Sequence, residues 1–342
     1  MMTFIVNLFT IRFMRLFSYI LAFCLVCVEA MCSPASLSSW NEGVAKQAIV
    51  DFVRQTTDDK SPHFIPVEER IAVFDQDGTL WVEQPIYPQA KYCFDRLSVI
   101  VKDKPELALL EPFKKILAGH ENITWEEFKA LADVTLAGMS TDTFQEEVKS
   151  WIGSAKHPRW QRPYTDLAYV PMLEMLAYLR EHSYKTYIVT GGGQDFVRVY
   201  AEKTYGIPPE QVVGTIGEVK YSYDTDGRPV LMKAPSLLLN DDFAGKPEGI
   251  HLMIGRRPRA AFGNSNGDQQ MLEYTRGGPH LSLALLLLHD DAEREYAYGP
   301  AENLPNSSVG TFSQALYDKA KKEGWIIVSI KRDWKQVFSL FR

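Results

Sequence analysis

Cysteine is scarce in this chain, four among 342 residues. Cys24 and Cys27 lie in an apolar N-terminal stretch, so Cys32 and Cys93 leave room for at most one disulfide and exclude a disulfide-built scaffold. Histidine is sparse too. None of the seven stands at H-x-x-x-H spacing, and no Ser/His/Asp set accompanies a nucleophile elbow, which speaks against zinc-peptidase and serine-hydrolase chemistry. No run of Lys or Arg stands out and the formal net charge is −6, so neither a nucleic-acid surface nor a polybasic membrane patch is expected. Small solutes are the expected partners. There is no internal repeat and no low-complexity block.

What the sequence does have begins at its N-terminus. Arg12 and Arg15 precede an apolar stretch from Leu16 to Val28, followed by Val28-Glu29-Ala30. That is the layout of a secretory signal peptide over residues 1–30, with Met14 as an alternative start. The apolar stretch is shorter than the ~20 residues a spanning helix needs. Export to the periplasm or beyond, with no stable membrane association after cleavage, is the expectation; a retained N-terminal anchor is the rival, and a cytosolic protein the third reading.

From Trp40 onward, helical and strand-like segments alternate in the manner of an α/β fold. Ser39 and Glu42 stand at capping-box spacing. Val44, Ala48, Ile49, Phe52 and Val53 are expected to line the buried side of the helix that follows. Ile71 to Phe74 predicts a buried parallel strand opening into Asp75-Gln76-Asp77-Gly78-Thr79. Pro88 to Ala155 is helical in pattern, with Thr124/Glu127 and Thr143/Glu146 at capping-box spacing. The sheet is expected to resume with a helix at Asp166–His182, a strand at Lys185–Val189, and a helix from Gln194 to about Tyr205. Strands follow at Val212–Ile216, Val219–Tyr223, Arg259–Phe262 and Leu281–Leu288, with a turn at Asp226-Gly227. A helix near Phe312–Glu323 and a strand at Trp325–Ile330 close the pattern.

Two carboxylates at i and i+2 after a strand can divide a phosphoryl transfer between them, one attacking phosphorus and one handling the protons. Asp75 and Asp77 are so placed, and Gly78 permits a tight turn beside them. Thr190-Gly191-Gly192-Gly193 ends another strand and opens a helix, where a hydroxyl and backbone N–H groups can hold an anion. Lys246, just before Pro247, is the candidate cation, with Lys233 as competitor. Gly263-Asn264-Ser265-Asn266-Gly267-Asp268 follows a further strand and offers hard oxygen donors to Mg²⁺.

Val73-Phe74-Asp75-Gln76-Asp77-Gly78-Thr79-Leu80 resembles the first motif of haloacid dehalogenase (HAD) superfamily phosphatases. The likeness spans roughly Arg70 to Leu288. Its cap placement is similar to that of the phosphoserine phosphatase branch and of secreted phosphorylcholine phosphatases. The resemblance implies an α/β fold: a Rossmann-like core with a parallel sheet, over residues 31–86 and 160–342, and an inserted all-helical (C1-type) cap over residues 87–159. It further implies that Asp75 becomes phosphorylated, that Asp77 is general acid/base, and that Thr190 and Gly191 hold the phosphoryl oxygens. Lys246 would neutralise charge, and Asp75, Asp77, Asp268 and Asn264 would hold Mg²⁺. Asn264 departs from the pattern, which usually has an acid there. Glu83 and Gln84, just past the first motif, stand where that branch contacts substrate; Glu83 is equally an ordinary helix-start carboxylate.

The expected activity is Mg²⁺-dependent hydrolysis of small phosphate monoesters. Two alternatives remain open: phosphotransfer to an acceptor other than water, and a ligand-binding protein on a catalytically retired scaffold.

Overall fold

The computed structural model describes residues 37–120 and 123–339. The signal-peptide segment and Cys32 lie outside the described residues. Cys93 is a free, buried thiol. No helix among the described residues is long and apolar enough to cross a membrane.

In chain order, helix α1 (Val44–Thr57) precedes strand β1 (Ile71–Phe74), and helices α2 (Pro88–Ile100), α3 (Phe113–Leu117), α4 (Trp125–Leu136) and α5 (Thr141–Ser154) follow it. Then come α6 (Val170–Glu181), β2 (Lys185–Gly193), α7 (Gln194–Tyr205), β3 (Val212–Tyr223), β4 (Pro229–Leu239) and α8 (Gly245–Met253). The remainder is β5 (Ala260–Gly263), α9 (Gln269–Arg276), β6 (Leu283–Leu288), α10 (Gln314–Lys322), β7 (Ile326–Ser329) and α11 (Ile330–Asp333).

The strands form one sheet of order β4-β3-β2-β1-β5-β6-β7. Every neighbouring pair is parallel except β3 and β4. Because side chains alternate across a strand, β1 serves two cores: Ala72 and Phe74 face one, Ile71 and Val73 the other. Phe74 stacks on Phe262 of β5, rings 4.2 Å apart. The chain runs outward from β1 through β2 and β3, then returns to β5 on β1's other side. Such a reversal opens a crevice at the carboxyl ends of the strands, where ligands bind in α/β sheets.

Several local expectations change. Ser39 does not cap α1; its hydroxyl donates to Glu174 (2.5 Å), and α1 begins after Gly43. Val44 is 83% exposed, and the buried stripe is Ala45, Ile49, Phe52, Val53 and Thr56. With the first helical residue one step beyond the apolar register, Val44 turns to solvent. The Thr124/Glu127 capping box is present, whereas α5 is capped three residues earlier than expected, by Ser140 accepting from the Thr143 N–H (3.1 Å). The helix expected from Asp166 starts at Val170, with Pro171 in its first turn and a 3₁₀ turn, Tyr164–Leu167, before it.

The two strands expected at 212–216 and 219–223 are one, β3, with register irregularities on both sides of Gly217. Asp226-Gly227 makes the turn into β4, Gly227 at φ +78°. The sequence hid β4 because it contains Pro235, and proline is tolerated there because β4 is an edge strand.

Helices α2 to α5 occupy the expected insertion after β1. The hairpin joins them: the Gly138 N–H donates to the Lys233 carbonyl (2.9 Å) and the Lys233 N–H to the Met139 carbonyl (2.9 Å). The region above the sheet edge is therefore helical in its insertion and extended by β4.

Candidate active site

Asp75 begins the loop after β1, and its N–H donates to the Phe262 carbonyl (2.9 Å), which continues the sheet one residue past the strand. Its side chain meets Lys246, the second residue of α8. The ammonium donates to Asp75 Oδ1 (2.6 Å), Asp268 Oδ1 (2.7 Å) and the Val189 carbonyl (3.0 Å), so all three of its hydrogens are used. Lys246 is 2% exposed and Asp75 6%. Burial alone would lower the ammonium's pKa, but Asp268 and Asp75 outweigh it and hold it above the usual lysine value. Burial, and then the charge of Asp268, push the Asp75 carboxyl well above the carboxylate range against the pull of Lys246.

Asp268 is fixed from the other side: its Oδ2 accepts the N–H groups of Asn264 and Ser265 (3.0 Å each) and the Ser265 hydroxyl (3.1 Å). Asp77 receives the Trp81 indole N–H at Oδ1 (2.6 Å). Burial raises its carboxyl to about 6, moderated by Trp81 and Lys246. Trp81 in turn stacks on Tyr200 of α7 (4.8 Å).

Thr190 ends the regular part of β2, and its Oγ1 accepts the Gly192 N–H (3.0 Å), which leaves the hydroxyl hydrogen to donate elsewhere. Gly191 is exposed to the cavity. The Gly193 N–H donates to Gln89 Oε1 of α2 (2.7 Å), tying this loop to the insertion. The loop packs closely on Asp77, since a Cβ on Gly192 would lie 3.8 Å from Asp77 Oδ2.

These residues share one cavity of about 640 Å³, whose lining includes Asp75, Asp77, Glu83, Thr190, Gly191 and Lys246. Lys233, the competing cation, also lines it but is paired with Asp195 and lies over the Phe144 ring (4.5 Å). Gln84 is turned to Ser307 and the Val309 carbonyl (2.9 Å each).

Asn264 does not stand free. Its Oδ1 accepts the Thr79 hydroxyl (3.1 Å), and its Nδ2 donates to Glu83 Oε1 (2.7 Å). Tyr298 donates to the same Glu83 oxygen (2.7 Å). Glu83 is 1% exposed, and burial pushes its carboxyl well above the usual range, Tyr298 opposing and Asp77 reinforcing. A side chain on Gly78 (φ +76°) would collide with both Asn264 and Glu83. The sequence carries an amide where an acid is expected, and the structure places a carboxyl from the first loop beside it.

His289 carries no motif signal in the sequence. It is buried, with Nε2 2.8 Å from the Gly78 carbonyl and Nδ1 3.0 Å from Glu295 Oε2, and Glu295 is held by Tyr169 (3.1 Å). Trp81, Gln89, Tyr298 and Glu295 were likewise unmarked. Only Trp81, four residues from Asp77, lies close enough in sequence to have been suspected.

Asp241, fully buried between β4 and α8, is pushed up to about 8, mostly by burial and against the pull of Lys246. A carboxyl whose folded pKa lies above its unfolded value of about 3.9 makes the folded state bind the extra proton, so stability falls as pH climbs from about 4 to about 8. Asp241→Asn is therefore expected to raise the melting temperature more at pH 8 than at pH 5, at roughly 2–4 °C per kcal/mol. An equal shift at both pH values in a thermal melt would show that Asp241 carries no such penalty.

The family model for haloacid dehalogenase-like hydrolases matches residues 72–273, more than half of the chain. No curated protein is significantly similar. Among solved structures, a conserved functionally unknown protein from Anaerococcus prevotii is 16% identical, covering 72% of this chain and 85% of its own, with a TM-score of 0.45. A protein of unknown function from Bordetella pertussis is 13% identical over 76% and 98%, TM-score 0.44. A phosphoserine phosphohydrolase-like protein from Francisella tularensis is 16% identical over 64% and 87%, TM-score 0.35. These distant likenesses carry no argument about activity. The family match rests on the stretch from β1 to α9, which holds the Asp75, Thr190, Lys246 and Asp268 stations, and by it the chain belongs to the haloacid dehalogenase-like hydrolases.

Proposed function

We propose that this chain is a Mg²⁺-dependent phosphomonoesterase that works through an aspartyl-phosphate on Asp75. One observation supports this reading above the others: Asp75, bonded to Lys246 and backed by Asp268, faces a cavity across from a second carboxyl, Asp77, of raised pKa.

Lys246 holds Asp75 Oδ1, so Oδ2 is the oxygen assigned to attack phosphorus. The O–P bond to Asp75 forms as the ester P–O bond breaks, and protonated Asp77 delivers its proton to the departing oxygen. Asp77, now ionised, takes a proton from water, which attacks the aspartyl-phosphate and releases phosphate. The Thr190 hydroxyl and the Gly191 N–H would hold the phosphoryl oxygens, the Gly192 and Gly193 N–H groups being engaged by Thr190 and Gln89, and Lys246 would offset their charge. We assign residues 87–159 the part of a cap excluding bulk water.

The donor set fits Mg²⁺. Asp75 and Asp268 are bonded to Lys246, Asp77 lies within its field, and Glu83 lies near Asp75 and Asp77; burial pushes the Asp75, Asp77 and Glu83 carboxyls above their ordinary range, and a bound cation would favour their ionised forms. No group of three acidic or histidine side chains forms a ready cage among the described residues; Mg²⁺ needs only one or two carboxylates, with water and phosphate completing its shell. Asp75, Asp268 and Asp77 would hold it, with Asn264 a ligand only if its amide oxygen leaves Thr79. Bound there, the cation would keep Asp75 ionised and neutralise charge on the phosphoryl group. With the N-terminal segment goes the proposal that the mature protein acts outside the cytoplasm on small phosphate esters, without nucleic-acid partners.

Purified protein should release phosphate from a panel of monoesters in the presence of Mg²⁺ and stop on addition of EDTA. Transfer of the phosphoryl group to added alcohols in preference to water would favour the phosphotransferase alternative, and binding of esters without any release would favour a retired scaffold.

A further inference from the structure

Away from Asp75, the cavity changes character. Its wall is made by Phe94 of α2, Phe128 and Leu136 of α4, Phe144 of α5, Phe196 of α7 and Leu237 of β4, with smaller apolar residues between them. No arginine lines it. Lys233 and Asp195 form an ion pair in this part, while Lys129 and Asp133 are exposed on α4. At about 640 Å³ the space is far larger than a phosphoryl group and lies in the range of sites that hold drug-sized molecules.

A phosphorylated amino acid would need a cation for its carboxylate and an anion for its ammonium, both desolvated. Among the described residues lining the phosphate end, the carboxyls without an ion-pair partner are already engaged: Asp77 by Trp81 and its assigned proton transfer, Glu83 by Asn264 and Tyr298, and Asp242 by the Phe243 N–H. The wall offers a leaving group dispersion and release of water, which an uncharged hydrocarbon exploits fully.

Building on the phosphatase reading, we infer that the site takes phosphate monoesters whose leaving group is bulky, uncharged and largely apolar, such as an aryl or medium-chain alkyl alcohol. The bond chemistry is unchanged: the ester P–O bond breaks, Asp75 receives the phosphoryl group, and the apolar alcohol leaves with the proton from Asp77. Selectivity then comes from the wall. Each methylene buried there should raise kcat/KM roughly fourfold until the chamber is filled.

The experiment has two arms on the full chain with Mg²⁺. In the first, phosphate release is followed for straight-chain alkyl phosphates from methyl to octyl, phenyl phosphate, phosphoserine, and 2-(trimethylammonio)ethyl phosphate beside its neutral isostere 3,3-dimethylbutyl phosphate. In the second, the matching alkylphosphonates, which cannot be hydrolysed, are titrated calorimetrically. The inference expects kcat/KM and phosphonate affinity to climb together with chain length, the neutral isostere to be preferred over the cation, and Leu136→Asp to flatten both slopes. Flat slopes in wild-type protein, or preference for phosphoserine or the quaternary ammonium ester, overturn it. Phosphonate affinity that climbs while no ester is hydrolysed would uphold the chamber and overturn the phosphatase reading instead.

Discussion

Asp75→Asn is expected to abolish phosphate release, by roughly 10⁴-fold or more in kcat, as removal of a covalent nucleophile does. The protein should nevertheless stay folded. An asparagine oxygen can still accept from Lys246, and the substitution removes a carboxyl that burial and the neighbouring Asp268 push well above its ordinary range. A melting temperature within a few degrees of wild type, measured beside the rate, separates lost chemistry from lost structure. Residual turnover near the wild-type rate would mean that another group, or water directly, attacks phosphorus.

Lys246→Met should fail in both respects. The ammonium is 2% exposed and bridges two carboxylates; without it Asp75 and Asp268 face each other with no cation between them. Breaking such a buried arrangement costs about 3–5 kcal/mol, or at roughly 2–4 °C per kcal/mol a fall of the order of 10 °C in melting temperature. The loss should shrink as pH falls, because protonation of Asp75, whose carboxyl burial already pushes well above its ordinary range, removes the repulsion. Lys246→Arg is not expected to rescue activity, since a planar guanidinium cannot direct three hydrogens at Asp75, Asp268 and the Val189 carbonyl from this enclosed position. Equal destabilisation at pH 5 and pH 8 would argue against the charge-bridge account.

The legible parts of the fold were those where one strong local signal coincides with burial. Ile71–Phe74 is apolar throughout because a central parallel strand is covered on both faces, and the acidic loop after it marks the strand's carboxyl end. The helix from Gln194 was legible from its glycine-rich start and amphipathic stripe. Lys246 and Asp268 could be placed by their order behind Asp75, and the structure joins all three in one ion-paired group.

What stayed hidden depends on meetings between distant segments. Glu83 looked like an ordinary helix-start carboxylate until the fold brought Asn264 and Tyr298 against it, 181 and 215 residues away. His289 carried no spacing signal because its partners, Gly78 and Glu295, come from a loop 211 residues earlier and one six residues later. Strand β4 was missed for a different reason: an edge strand tolerates proline and lysine, so its sequence lacks the apolar pattern of a central one.

The central claim is that phosphate passes through Asp75. It is tested most directly by quenching the protein within one turnover of a hydrolysed ester, reducing with borohydride, and mapping the peptide that contains residues 71–80 by mass spectrometry. The account predicts that Asp75, and not Asp77, is converted to homoserine, and only when substrate and Mg²⁺ are both present. Full turnover with Asp75 unmodified, or the label on Asp77, would contradict it.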